Sequence, residues 1–232
     1  MDLRCRRDCV YTSISSAQLE NYIENQLTHF FPDNTTDWKK AIKACCSKAL
    51  ERVEYCFHSI PGKYYQSNGK PVFNHMNADH YATFLYFLSH EAYLSGNIPL
   101  AEKAFYLNKS LNGLDLFYSV KMPDIFILVH PVGSVIGNAK FSDYLVIYQN
   151  VTIGSDKDGV YPSFSGENVL YSGSSVIGDC QIGINSVIGA RSFVRKLTDS
   201  GNNRIYSGMY PNIRVTPNNG SVLNDFFMEN PA

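Results

Sequence analysis

His130 is the only histidine after His90 in this 232-residue chain, and it directly follows an apolar residue, Val129. An imidazole carried outward on a stiff support can act as a general base, because its ordinary pKa lies near neutrality. Such a base needs a carboxylate to fix its tautomer and to stabilise the imidazolium that forms. Asp115 and Asp124, just upstream, are the candidates. The competing reading is an ordinary surface histidine. His29, His58, His75, His80 and His90 are scattered through the first half and read as surface or hydrogen-bonded residues.

The support is legible in a period of six. Large or branched apolar residues stand at Val129, Val135, Phe141, Ile147 and Ile153, then resume as Phe164, Leu170, Val176, Ile182, Ile188 and Val194. Small or modest residues follow many of them four positions on: Gly133, Ala139, Val151, Ser174, Cys180, Ser186, Ser192. Helices repeat at 3.6 and strands at 2, so neither accounts for this spacing. A solenoid with triangular coils does, each hexapeptide forming one side with its apolar residue inward. Roughly 18 residues per turn give about four coils. With Val129 inward, His130 points outward near a corner. The register breaks once, between Ile153 and Phe164, where the polar, turn-rich stretch from Ser155 to Ser163 reads as a loop thrown out from a corner.

The residues before the repeats read as helical. Ser15-Ser16 caps a helix through Leu19, Ile23 and Leu27; Thr35-Thr36-Asp37 caps a second, from Trp38 to Phe57. Gln66 to Pro71 reads as turn or loop. Asn77 or Asp79 opens a third helix, and a fourth runs from Pro99 to Leu111 with Gly113 past its end. The expected organisation is an α-helical domain over 1–113, the solenoid over 114–215 and a tail over 216–232. Lys+Arg 20 against Asp+Glu 21 leaves no basic patch for nucleic acid, and no apolar run is long enough for a membrane span. The six cysteines show no CxxC spacing and read as small packed thiols. A cytoplasmic protein is the expectation.

The segments His130-Pro131-Val132-Gly133-Ser134-Val135-Ile136-Gly137 and Ile147-Tyr148-Gln149-Asn150-Val151-Thr152-Ile153-Gly154 resemble the catalytic coils of hexapeptide-repeat acetyltransferases, above all serine acetyltransferases and related sugar acetyltransferases. The resemblance covers about 114–215. It implies a left-handed parallel β-helix, usually a homotrimer, with acetyl-CoA as co-substrate and a site between subunits. It makes His130 the general base and Asp115 its orienting carboxylate. It places the cofactor against Gly154, Ser155, Ser172 and Ala190, with Arg191 and Arg195 available to its phosphates. The helices would remain available for assembly beyond a trimer.

Two departures concern the acceptor. Where the family has an aspartate before the catalytic histidine, this chain has Val129; where it has a second histidine before a proline, this chain has Tyr161. A site that has lost the carboxylate gripping an ammonium group does not keep its specificity for an amino acid. The expectation is therefore acetyl transfer to a sugar hydroxyl or amine, as in polysaccharide biosynthesis, with Val129, Tyr161, Tyr148 and Asp124 toward the acceptor, and Tyr118 as a further flat face. The alternatives are L-serine O-acetylation in cysteine biosynthesis, a zinc enzyme on the same scaffold, for which one histidine is too few, and a non-catalytic trimeric scaffold. No metal site is expected.

Overall fold

The computed structural model describes the backbone of residues 4–5 and all atoms of residues 10–198 and 201–228. Two compact units result, Met1–Gly113 with Phe117–Ser119, and Leu114–Leu116 with Val120–Ala232.

The first unit contains β1 (Arg4–Cys5), β2 (Tyr11–Thr12), α1 (Ser16–Phe30), α2 (Lys39–His58), β3 (Gln66–Ser67), β4 (Lys70–Phe73), α3 (Ala78–Leu94) and α4 (Ile98–Asn112). Ser15 caps α1 in a capping box with Gln18, Asn77 caps α3, and Gly113 ends α4 in the left-handed conformation. The second helix departs from expectation. Its N-cap is Trp38 with no side-chain bond, and Thr35, three residues earlier, gives its N–H and hydroxyl to Asp33. The stretch expected as a loop is a hairpin: Asn68 and Gly69 both have positive φ, as a two-residue turn requires, and pair β3 with β4. Helix α3 is buried from His80 to Ala92, which makes it the core of this unit. Cys45, Cys46, Cys56 and Cys180 are buried and in no disulfide; the side chains of Cys5 and Cys9 lie outside the described residues.

His80 gives this unit a pH dependence. It is fully buried between the rings of Phe57 and Tyr65, and its Nδ1 accepts the Asn74 N–H at 3.1 Å. Burial lowers its pKa from 6.5 to about 4. The unfolded chain therefore binds more protons between those values, so the stabilisation is complete above about pH 6.5 and is lost as the pH falls toward 4. The loss amounts to on the order of 3 kcal/mol. Urea midpoints measured from pH 7.5 to 4.5 should fall for the wild type, and fall less for His80→Gln.

The second unit is a parallel β-solenoid. Its first side stacks β5 (Asp115–Leu116), β7 (Val135–Ile136), β9 (Thr152–Gly154), β12 (Ser175–Ile182) and β14 (Phe193–Leu197). The third side stacks β6 (Phe126–Val129), β8 (Leu145–Tyr148), β11 (Asn168–Leu170), β13 (Ser186–Ile188) and β15 (Arg204–Met209). A second side, between them, is formed by β10 (Ser163–Phe164), the end of β12 and the bridge from Lys140 to Ser163. In the later coils Asn168 pairs with Ser186 and Ser175 with Phe193, eighteen positions on, which is three hexapeptides.

Three columns fill the interior. Leu116, Ile136, Ile153, Val176 and Val194 stack under the first side; Leu128, Ile147, Leu170, Ile188 and Tyr206 under the third; Phe164 and Ile182 under the second, with Phe141 stacked on Phe164 at 5.5 Å. Two residues of the sequence register are thereby corrected. Val135 is 45% exposed and Val129 half-buried; the inward residues of that coil are Ile136 and Leu128. The repeats also outrun Val194, since β15 continues the third side before turning back antiparallel into β16 (Asn212–Pro217). The chain then closes on its own edge. Asn185 holds Gly220 and Val222, α5 (Val222–Phe226) follows, and Phe227 meets Tyr144 ring to ring at 5.2 Å.

Candidate active site

His130 occupies the corner that joins the third side to the first. In the following coils the left-handed position lies three residues past the inward residue of the third side: Asn150 after Ile147, Gly173 after Leu170, Arg191 after Ile188. In the His130 coil it lies five past, Gly133 after Leu128. The two additional residues explain the register correction, because Leu128 and Ile136 are eight positions apart where Ile147 and Ile153 are six apart. They also push the imidazole out: His130 is exposed, with φ of 48°, and its carbonyl accepts the Val132 N–H at 2.7 Å.

The turn is rigid despite its length. Gly133 lies under the Asn150 side chain so closely that a Cβ there would stand 2.2 Å from Asn150 Oδ1. Ser134, fully buried, donates its hydroxyl to Tyr148 O at 3.1 Å and accepts the Val151 N–H at 3.2 Å. Asp115 gives its N–H to Ser134 O at 2.9 Å and pairs with Val135. The first strand of the solenoid thus sets Asp115 against the turn that carries His130.

Asp124, the other candidate carboxylate, is placed elsewhere. It stands at the opposite end of β6, a four-residue strand that spans about 13 Å. There it lines a cavity of about 690 Å³ on the second side, with Lys121, Lys140, Phe141 and Asp143. Asp143 Oδ1 fixes that wall by accepting the N–H groups of Asp124 and Ile125 at 2.8 and 3.0 Å. Tyr118 belongs to the helical unit, packed on Tyr93, Phe105 and Phe117.

The remaining residues distribute along the His130 edge. Val129 pairs with Tyr148, and the Tyr148 ring packs tilted against Tyr171 at 5.1 Å, so these side chains form an outward row beside the corner. Burial raises the Tyr148 phenol above its ordinary value. Ser172 and Ala190 follow along the corner itself, and Arg191 is exposed beside them. Gly154 and Arg195 share one outward row of the first side, separated by Ile177. Ser155 opens the extruded loop, which Asp156 folds back by accepting the N–H groups of Asp158 and Val160 at 3.0 and 3.1 Å. Tyr161 ends the loop with its ring against Gly137, at the far end of the first side from His130: a Cβ on Gly137 would lie 2.9 Å from Tyr161 Cε1. Gln149, next along the corner from His130, was not singled out as a site residue by the sequence pattern; its signal was the corner register. Among the described residues no group of three His, Cys, Asp or Glu side chains is placed to hold a metal ion, and no helix is long and apolar enough to cross a membrane.

Comparison with known proteins gives one consistent likeness. No protein-family model matches the chain. A serine acetyltransferase of Synechococcus elongatus is 33% identical over 93 residues, 38% of this chain and 38% of that protein. One from Staphylococcus epidermidis is 29% identical over 119 residues, 49% of this chain and 55% of that protein. The matches thus span about half or less of these relatives. Solved structures agree over more of the chain. A Vibrio cholerae serine acetyltransferase aligns with a TM-score of 0.67 at 18% identity, covering 93% of this chain and 85% of its own. A Brucella abortus serine acetyltransferase in complex with coenzyme A aligns at 0.66 and 18%, covering 90% and 84%. The chain therefore has the hexapeptide-repeat fold with a helical region before it, and resembles serine acetyltransferases in sequence.

Proposed function

We propose that this chain is an acetyl-CoA-dependent acyltransferase with His130 as its general base. The observation that carries the reading is an exposed imidazole on a rigid corner, with the backbone of Asp115 hydrogen-bonded to the same turn. The relatives' names, and the coenzyme A in the Brucella structure, support acetyl-CoA as the donor. The acceptor oxygen attacks the thioester carbonyl while His130 takes its proton. Asp115 stabilises the imidazolium. The intermediate then collapses, the C–S bond breaks, and the proton passes from His130 to the departing thiolate of CoA. No serine or cysteine adjoins His130 in sequence, which supports direct transfer without an acetyl-enzyme. Ser172 and Ala190 along the corner would border the pantetheine arm, with Gly154 and Ser155 beside the first side and Arg191 and Arg195 toward the phosphates. The resemblance supports a homotrimer in the cytoplasm.

For the acceptor, the names of the relatives favour L-serine. A second reading, a sugar hydroxyl, rests on the chain's own residues: Val129 and Tyr148 border His130, and neither carries the charge that would hold an amino acid's ammonium group. An assay of CoA release from acetyl-CoA over a panel of L-serine, nucleotide-linked amino sugars and simple glycans tests both. Turnover of L-serine at an ordinary enzymatic rate selects the first reading. Turnover of a sugar with L-serine inert selects the second. Failure of the protein to bind millimolar CoA rejects acetyl transfer altogether.

A further inference from the structure

The corner between the third and first sides repeats one turn in coil after coil. Ser174 N–H donates to Tyr171 O at 3.1 Å around Ser172-Gly173, and Ser192 N–H donates to Gly189 O at 3.1 Å around Ala190-Arg191. The third residue of each turn, Gly173 or Arg191, has positive φ. The turn from Tyr148 to Val151 has the same form, with Asn150 at a φ of 56°, but its closing bond is replaced. The Ser134 hydroxyl of the preceding coil stands between the two groups, donating to Tyr148 O at 3.1 Å and accepting the Val151 N–H at 3.2 Å. One buried oxygen thus splits the turn that lies against the His130 coil. The buried serines at the same register in later coils do not do this. Ser174 Oγ has no partner among the described residues, and Ser192 Oγ reaches only Tyr206 O, at 3.4 Å.

The His130 turn rests on this split turn. Asn150 donates its N–H to Val132 O at 3.0 Å, and its side chain lies against Gly133. Val132 in turn donates its N–H to the His130 carbonyl at 2.7 Å. A contiguous path therefore runs from Ser134 Oγ through Asn150 and Val132 to the backbone of His130. We infer that Ser134 is a positioning residue for His130: its hydroxyl holds the Tyr148–Val151 turn open, and the opened turn fixes the backbone from which the imidazole projects. The inference rests on the acetyl-transfer reading above, in which that imidazole takes the acceptor's proton. A methyl group in place of the hydroxyl leaves Tyr148 O and the Val151 N–H without their partner, and buried backbone groups do not stay unpaired. They close on each other instead, as their counterparts do in the later coils. Closure draws Asn150 away from Val132 and Gly133, and the base loses its fixed position.

Ser134→Ala should lose between about tenfold and a hundredfold in kcat, the scale on which a small misplacement of a catalytic group acts. The loss passes through the imidazole, so it should disappear once the imidazole is gone. In a His130→Ala background, Ser134→Ala should change the residual rate by less than about twofold. A serine that merely supported the fold would cost the same factor in both backgrounds. Assays of CoA release on the four proteins complete this cycle. A second measurement needs no turnover. In amide hydrogen exchange, Val132 and Asn150 should lose protection in Ser134→Ala, while Arg191, at the same position two coils on, keeps it. An unchanged kcat, equal losses in the two backgrounds, or unchanged protection of Val132 and Asn150 would overturn the assignment. Wild-type protein that does not bind CoA would instead remove the acetyl-transfer reading, and the exchange experiment would still decide whether Ser134 fixes the turn.

Discussion

His130→Ala should lose between about a hundredfold and ten-thousandfold in kcat, the usual contribution of a positioned general base. CoA affinity should stay within about twofold and the melting temperature should not fall, because the ring is exposed and fills no part of the interior columns. His130→Gln, which keeps a polar side chain of similar size but cannot take a proton, should lose as much as the alanine variant. Steady-state kinetics with a saturating acceptor, beside a CoA titration, checks both. A variant with full activity would remove His130 from the chemistry while leaving the fold assignment untouched.

Ile136→Ala should destabilise the solenoid by about 2–5 kcal/mol, whereas Val135→Ala should change it by no more than about 0.5 kcal/mol. The two residues are neighbours in β7 and face opposite ways: Ile136 is 2% exposed in the column between Leu116 and Ile153, while Val135 is 45% exposed. Emptying an inward position leaves a cavity that the stacked coils above and below cannot close, because each is pinned to the next by its ladder of backbone hydrogen bonds. Urea denaturation of the two variants measures the contrast. A larger loss for Val135→Ala than for Ile136→Ala would mean that the strand faces the other way.

That pair also shows where sequence reading reached its limit. From Ile147 to Val194 the six-residue count named every inward residue, since the sides there keep their length and the one insertion, the extruded loop, was read as such. Before Ile147 the count ran through two additional residues at the His130 corner and came out one position wrong on either side, at Val129 and Val135. His130 was still placed at a corner, although the reason offered, an inward Val129, does not hold. The helical unit behaved similarly. Ser15, Asn77 and Gly113 marked their helix ends through local hydrogen bonding and backbone preference. Thr35 did not, because the helix begins a turn later, at Lys39, and Thr35 instead bonds to Asp33.

The sequence by itself determined the solenoid, the helical segment before it, the extruded loop and the one histidine carried on the solenoid. These depend on periodicity and on short-range chemistry, both written along the chain. Only the tertiary structure decided which acidic residue has its backbone against the turn that carries that histidine. Asp124 is nearer in sequence, but β6 carries it to the other end of a side, and the ladder between β5 and β7 brings the backbone of Asp115 to the turn. It also decided that the Ser134 hydroxyl enters the turn of the next coil. Both facts arise from coils stacking side by side, a relation between residues about twenty positions apart that no local pattern encodes.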